Sequence, residues 1–332
     1  MLDAFYAVMG LLGVPRLFYW LNRRRCIVLT YHNVLPDTLF DDTVHLGVSH
    51  RASTFDAQLA LVVRRLGTTR DRCVVTFDDG YQNQLEIAEP VLARHGLRGI
   101  FFIAFQSMTS GRALAIDQAM MWVSYVPAGE YSAIGLRVVV EPASRAVVMS
   151  RIYERLLSAP DLWDVVERDL DAAFPFAKLT LNPELARLRF APLRPADLRT
   201  LAVRGHDVAA HSWSHRPLGT LALDAQRADF AACADSARRH CNSPLFSYPF
   251  GGPAEVAPLT TELCAEYGFT AAYLNTPDVP ASLGARGSHA LPRLSLPERA
   301  DTHVLDAKLS GFEHFCKRLL RPSRAPRTLA RT

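Results

Sequence analysis

The chain has 332 residues, 49% hydrophobic and 21% charged, which suits a globular protein with one large α/β domain or two small ones and excludes a disordered chain. Its net charge of +4 is modest and owes much to the basic run from Lys317 to Arg327, so nucleic acid is not an expected partner. The six cysteines are scattered without a C-x-x-C pair, which argues for buried thiols in a reducing compartment and against a zinc finger.

Residues 1–25 form a separate segment. Ala4 to Val14 is largely apolar, Pro15-Arg16 interrupts, and Leu17-Phe18-Tyr19-Trp20-Leu21 precedes Arg23-Arg24-Arg25. A secretory signal carries its positive charge before the apolar run, whereas here the basic cluster follows it. Two readings stay open: an anchor at the membrane interface, with the arginines toward anionic lipid, or an amphipathic helix covering the bottom of the fold. Either leaves the main domain cytoplasmic, and the first makes it peripheral on the inner face of the cell membrane.

From Cys26 the chain alternates. Cys26 to His32 is strand-like, Ser53 to Leu66 helical with Gly67 as its stop, and Val74-Val75-Thr76-Phe77 a buried strand that ends on Asp78-Asp79-Gly80. A helix through Glu86 to His95 and a strand from Arg98 to Ala104 follow. The rhythm breaks between about 105 and 195, a stretch read as an insertion, helical with a small hairpin, over one end of the core. It resumes with a helix at 195–202, a strand at 207–212, a helix at 223–239, a strand at 245–251, a helix at 256–267 and strands at 271–275 and 293–297. Seven strands mostly separated by helices imply a parallel α/β barrel or a doubly wound sheet, within a main domain of about 26–300 followed by a basic tail at 301–332.

In both architectures the reactive residues gather at the C-terminal ends of the strands, and His32, Asp78, Asp79, His211 and Phe250 all fall at such ends. Asp78-Asp79-Gly80 alone is equally a turn closing a surface strand. His211-Ser212-Trp213-Ser214-His215 spaces two imidazoles four apart, one turn if the chain is helical there, and with a carboxylate they make a facial metal set with open positions. In that chemistry Asp79 is the ligand and Asp78 the base that takes a proton from an attacking water. The Phe250 N–H, in the rigid and then permissive Tyr248-Pro249-Phe250-Gly251-Gly252, is aimed at an oxyanion, and His32 is the acid for the leaving group.

These segments resemble the polysaccharide deacetylase family, the carbohydrate esterases with a NodB-homology domain. Thr76-Phe77-Asp78-Asp79-Gly80 is similar to its first motif, His211-Ser212-Trp213-Ser214-His215 to its second, and Ser247-Tyr248-Pro249-Phe250-Gly251 to its third, usually R-x-P-[YF]. The resemblance implies a distorted (β/α)7 barrel, here with a largely helical insertion, and metal-dependent removal of N-acetyl groups from N-acetylhexosamines of a surface or extracellular polysaccharide or its precursor. Asp78 is then the base, Asp79, His211 and His215 hold Zn²⁺ (or Co²⁺ or Ni²⁺), and Phe250 supplies an oxyanion N–H. Two departures stand out. Ser247 occupies the place of an Arg that steadies the base, for which Arg293 is the substitute. No late L-x-H motif supplies the acid; Thr30-Tyr31-His32 resembles the early Tyr-His of poly-N-acetylglucosamine deacetylases, which makes His32 the acid and His289 the fallback. An O-acetyl esterase, a deacylase of a lipid-linked sugar and a non-catalytic metal-binding glycan module are the competing functions.

Overall fold

Seven short strands, β1 Ile27–Tyr31, β2 Cys73–Phe77, β3 Gly99–Ile103, β4 Asp207–Ala210, β5 Leu245–Ser247, β6 Ala271–Tyr273 and β7 Leu294–Ser295, make a single sheet in the computed structural model, which describes residues 2–40, 48–69, 71–276 and 289–320. They lie in the order β6-β5-β4-β3-β2-β1-β7, and every pairing is parallel. A parallel bridge from Tyr273 to Leu291 ties β6 to the segment leading into β7, so the sheet curls toward closure as a distorted barrel.

The strands read as continuous apolar runs because both faces are covered. On one face Leu29, Val75, Phe77, Phe101, Val208 and Phe246 pack under the surrounding helices, with Phe77 and Phe101 stacked at 4.9 Å. On the other, Cys26, Val28, Val74, Ile100, Phe102, Ala209, Tyr273 and Leu291 pack among themselves and fill the barrel interior. Side chains alternate with a period of two along a strand. The interior set therefore continues, toward the C-terminal ends, through Thr30 and His32, Thr76 and Asp78, His211, Ser247 and Arg293. An apolar floor gives way to a polar top, and the fold itself thereby gathers the chemistry.

Between β3 and β4 the insertion is helical with one hairpin, Gly129–Ala133 against Leu136–Val140. It has its own small core of Trp122, Val138, Ile152, Leu156, Trp163 and Leu170, and Phe250 of the barrel packs against that core. The return segment at 191–193 rejoins the barrel: Leu193 N–H donates to the Gly80 carbonyl at 2.7 Å and Gln82 N–H to that of Ala191 at 3.0 Å, which braces the turn after β2.

Two local expectations are corrected. The helix expected from Glu86 opens earlier, as a π-helical turn at Gln84–Ala88 before the α-helix Glu89–Arg94. The expected basic tail is helical as far as Leu320, because Asp301 caps α5 (Thr302–Leu309) through the His303 and Val304 N–H groups, and α6 (Phe312–Leu320) follows. Residues 321–332 lie outside the described residues.

The N-terminal segment forms α1 (Leu2–Leu11) and α2 (Val14–Leu21), and Tyr6, Met9, Val14 and Phe18 pack on Val304, Ala307 and Phe312 of the C-terminal helices. Tyr19 Oη donates to Asp306, which also pairs with Arg65 at the end of α3 (Ala52–Leu66). Among the described residues no single helix is long and apolar enough to cross a membrane; α1 and α2 pass that test only together, bent by 78°.

Candidate active site

Asp78 continues the inward parity of β2, so Asp79 ought to point away from the cleft. It does not, because Asp79 sits at φ 79, in the left-handed region where a non-glycine residue is strained. Gly80 follows at φ 80, and a Cβ there would meet Ile103 Cδ1 at 3.0 Å. The twist turns both carboxylates inward: His211 Nε2 lies 3.9 Å from Asp78 Oδ2 and 3.6 Å from Asp79 Oδ1. Among the described residues, four of the five non-glycine residues at positive φ (Asp79, Ser212, His215 and Phe250) are in this cluster, and strain so concentrated marks a functional site.

Asp79, His211 and His215, all buried, offer ligand atoms within 4.8 Å of one another. His211 Nδ1 lies 2.7 Å from the Ser247 carbonyl, to which it donates, so its Nε2 is the atom that faces Asp79; His215 Nε2 lies 3.1 Å from Asp79 Oδ1. One carboxylate and two imidazoles, with a backbone acceptor orienting one ring, fit a divalent ion of the Zn²⁺, Co²⁺ or Ni²⁺ kind. The chain is not helical at 211–215. The two rings meet on a loop instead, with Ser212 at φ 64 and His215 at φ 55. Asp229, on α4 (Leu223–His240), holds this loop by accepting the Trp213 and Ser214 N–H groups at 2.9 Å each.

Asp78 is gripped by Arg293. Both guanidinium Nη atoms donate to its carboxylate, at 2.7 and 2.6 Å, while Nη1 also reaches Thr76 Oγ1 at 3.1 Å and Nη2 reaches Ser247 Oγ at 2.9 Å. Nε donates to the Leu274 carbonyl, and the guanidinium lies over Phe102 on the barrel floor. Burial pushes the Asp78 carboxyl up, but Arg293, His211 and His32 outweigh it and hold the group below the usual carboxylate range. Burial likewise opposes ionisation of Asp79, and the hydrogen bonds from His211 and His215 hold it well below that range. Burial alone would lower His211; Asp78 and Asp79 overturn that and raise it.

His32 faces Asp78 from the end of β1, with Nε2 4.0 Å from Oδ2 and a side chain 19% exposed; burial lowers its pKa against the pull of the two carboxylates. The Gln84 amide nitrogen donates to the main-chain carbonyls of both His32 and Asp78, so one side chain staples the two strand ends. Phe250 is at φ 61, its ring 5.1 Å from that of His215, and among the described residues its N–H meets no acceptor. His289 is not brought to the cluster. Its ring bonds the Phe269 carbonyl at 2.8 Å, two residues before β6 begins, at the opposite end of the strands. Sequence reasoning passed over the partners: Thr76 by strand parity was within reach, while Gln84 and Asp229 carry no sequence signal.

Residues 164–272 match the family model described as polysaccharide deacetylase. That stretch, about a third of the chain, is similar to the polysaccharide deacetylase family. The matched stretch holds the His211–His215 loop and the Ser247–Gly251 segment, with Asp78 and Asp79 lying before it and Arg293 after it. No curated protein matches the chain. The chain shares its fold with solved structures of low identity. The Streptococcus pyogenes deacetylase PplD in complex with acetate aligns with a TM-score of 0.51 at 12% identity, over 84% of this chain and 96% of that one. IcaB from Ammonifex degensii gives 0.50 at 14%, over 86% and 97%. The Bacillus cereus polysaccharide deacetylase BC0361 gives 0.50 at 11%, over 85% and 68%.

Proposed function

We propose that the domain is a metal-dependent N-deacetylase acting on N-acetylhexosamine residues of a surface or extracellular polysaccharide or its precursor. The observation that carries this reading is the buried Arg293–Asp78 pair facing the Asp79, His211 and His215 set. A base held ionised beside three convergent metal-type donors is what hydrolysis of an unactivated amide requires.

A divalent ion held by Asp79, His211 and His215 would polarise the amide carbonyl and acidify the attacking water. Asp78 takes the water proton; Arg293 fixes both of its oxygens and keeps it ionised at neutral pH. The Phe250 N–H donates to the oxygen that gains charge as the carbonyl carbon becomes tetrahedral. His32, held at the strand end by Gln84, donates a proton to the departing sugar nitrogen, and acetate and the free amine leave. The missing arginine of the third motif is what favours a non-catalytic module, and Arg293, the residue before β7, meets that need.

A panel of N-acetylated and O-acetylated glycans, incubated with protein and Zn²⁺ or Co²⁺, tests the assignment. Acetate release with matching free amine supports it. Release from O-acetyl sugars alone would reassign the domain as an esterase.

A further inference from the structure

The two chain ends leave uncovered what a soluble domain normally hides. With Tyr6, Met9, Val14 and Phe18 turned inward, α1 and α2 expose Leu11 at 81%, Leu12 at 70%, Trp20 at 58% and Leu21 at 55%, and α6 adds Leu319 at 71% and Phe315 at 47%. A groove of about 490 Å³ runs between α2 and α6, with Phe18, Leu21, Phe315 and Leu319 on its walls and Arg25 and Arg318 among its lining. Arg16, Arg24, Arg25 and Arg318 are exposed and form no ion pair among the described residues. The nearby acids are engaged: Asp3 with Arg299, Asp306 with Arg65, and Glu313 with Lys308 and Lys317. The sequence beyond Leu320 adds four arginines (Arg321, Arg324, Arg327 and Arg331) and no acid.

We propose that α1, α2 and α6 together form a docking face for an anionic bilayer surface. Apolar side chains flanked by unpaired arginines match the acyl boundary and the charged headgroups at once. A second copy of the chain would set arginine against arginine, which opposes self-association. The 78° bend between α1 and α2 suits a pair lying along an interface rather than a straight span. Arg25 stands two residues before β1, so α2 ends at the N-terminal end of the strands, opposite the catalytic cluster, and the docked face leaves the site open to glycan.

Flotation of the full chain with phosphatidylcholine vesicles, with and without phosphatidylglycerol, tests this. The native protein is expected to float with phosphatidylglycerol vesicles, to release as salt is raised, and to remain monomeric in free solution. Trp20→Ser with Leu319→Ser, and separately Arg24→Glu with Arg25→Glu and Arg318→Glu, should each weaken partitioning about tenfold or more, with an unchanged circular dichroism spectrum and unchanged turnover of soluble substrate. Absence of native binding to phosphatidylglycerol vesicles, equal binding by the charge-reversed variant, or a stable dimer broken by Leu319→Ser would each overturn the proposal.

Discussion

Arg293 and Asp78, 215 residues apart in sequence, meet through two hydrogen bonds of 2.7 and 2.6 Å at the top of the barrel. The pair answers one of the two gaps in the motifs, the missing arginine of the third. An arginine is supplied from the entry to β7, and Ser247, where another would stand, is small enough to admit it, accepts from its Nη2 and donates to Asp78 Oδ2 at 3.3 Å. A planar fork bonded to both carboxylate oxygens also fixes the direction in which the base points.

Arg293→Met should therefore change the pH profile as well as the rate. Arg293 stabilises the ionised form of Asp78, so its removal raises the Asp78 pKa, and the acidic limb of kcat/KM moves to higher pH. A loss of about a hundredfold in kcat/KM is expected at neutral pH. Arg293→Lys should keep more of the rate, since the charge remains while the fork is lost. A profile whose acidic limb stays in place would remove Arg293 from this role.

The same pair bears on stability. Asp78 is depressed in the folded state, so it contributes stability that is fully present above its unfolded pKa and fades as pH falls through the folded one. Arg293→Met leaves that carboxylate buried without its partner, at a cost of about 3–5 kcal/mol. Denaturant melts at neutral pH should register the loss, and the loss should shrink as the medium is acidified toward protonation of Asp78.

Metal affinity should rise with pH. In the metal-free chain His211 is held above its usual pKa by Asp78 and Asp79, and an ion must displace that proton to use the ring. Calorimetry in buffers of different ionisation heat should show proton release on Zn²⁺ binding below neutrality. Chelation should abolish turnover, and added Zn²⁺ or Co²⁺ should restore it; His215→Ala should bind about a hundredfold more weakly or worse.

Gly80→Ala should be costly for so small a change. The position needs φ 80, and the new methyl would sit 3.0 Å from Ile103 Cδ1 beside the strained Asp79. A stability loss of about 1–2 kcal/mol is expected, with a disproportionate fall in kcat as the two carboxylates separate. Thermal melts read with single-substrate kinetics separate the two effects.

Much of the barrel was legible because its strands are apolar on both faces and end on polar residues. Seven runs marked seven strands, and their ends marked His32, Asp78, His211 and the Ser247–Phe250 segment. Parity along those strands is the physical reason, since one face carries the floor and the cluster in a single column. What escaped depends on non-periodic backbone. The meeting of Asp78 with Asp79 and of His211 with His215 is written in the motifs, but not its backbone route, a left-handed residue at Asp79 and a strained loop held by Asp229. Gln84 works from a π-helical turn that no pattern announces. The helices after Asp301 are short and run into the basic stretch from Lys317, and their contacts with α1 and α2 come from residues at the other end of the chain.

Asp78 as the base of a metal-dependent amide hydrolysis is tested by comparing the acetate and free amine released from N-acetylhexosamine oligomers by the Zn²⁺-loaded protein and by Asp78→Asn. Equal yields of the two products from the native protein, with a fall of about a thousandfold in the variant while Zn²⁺ still binds, are the predicted result. Full activity in Asp78→Asn would contradict the account.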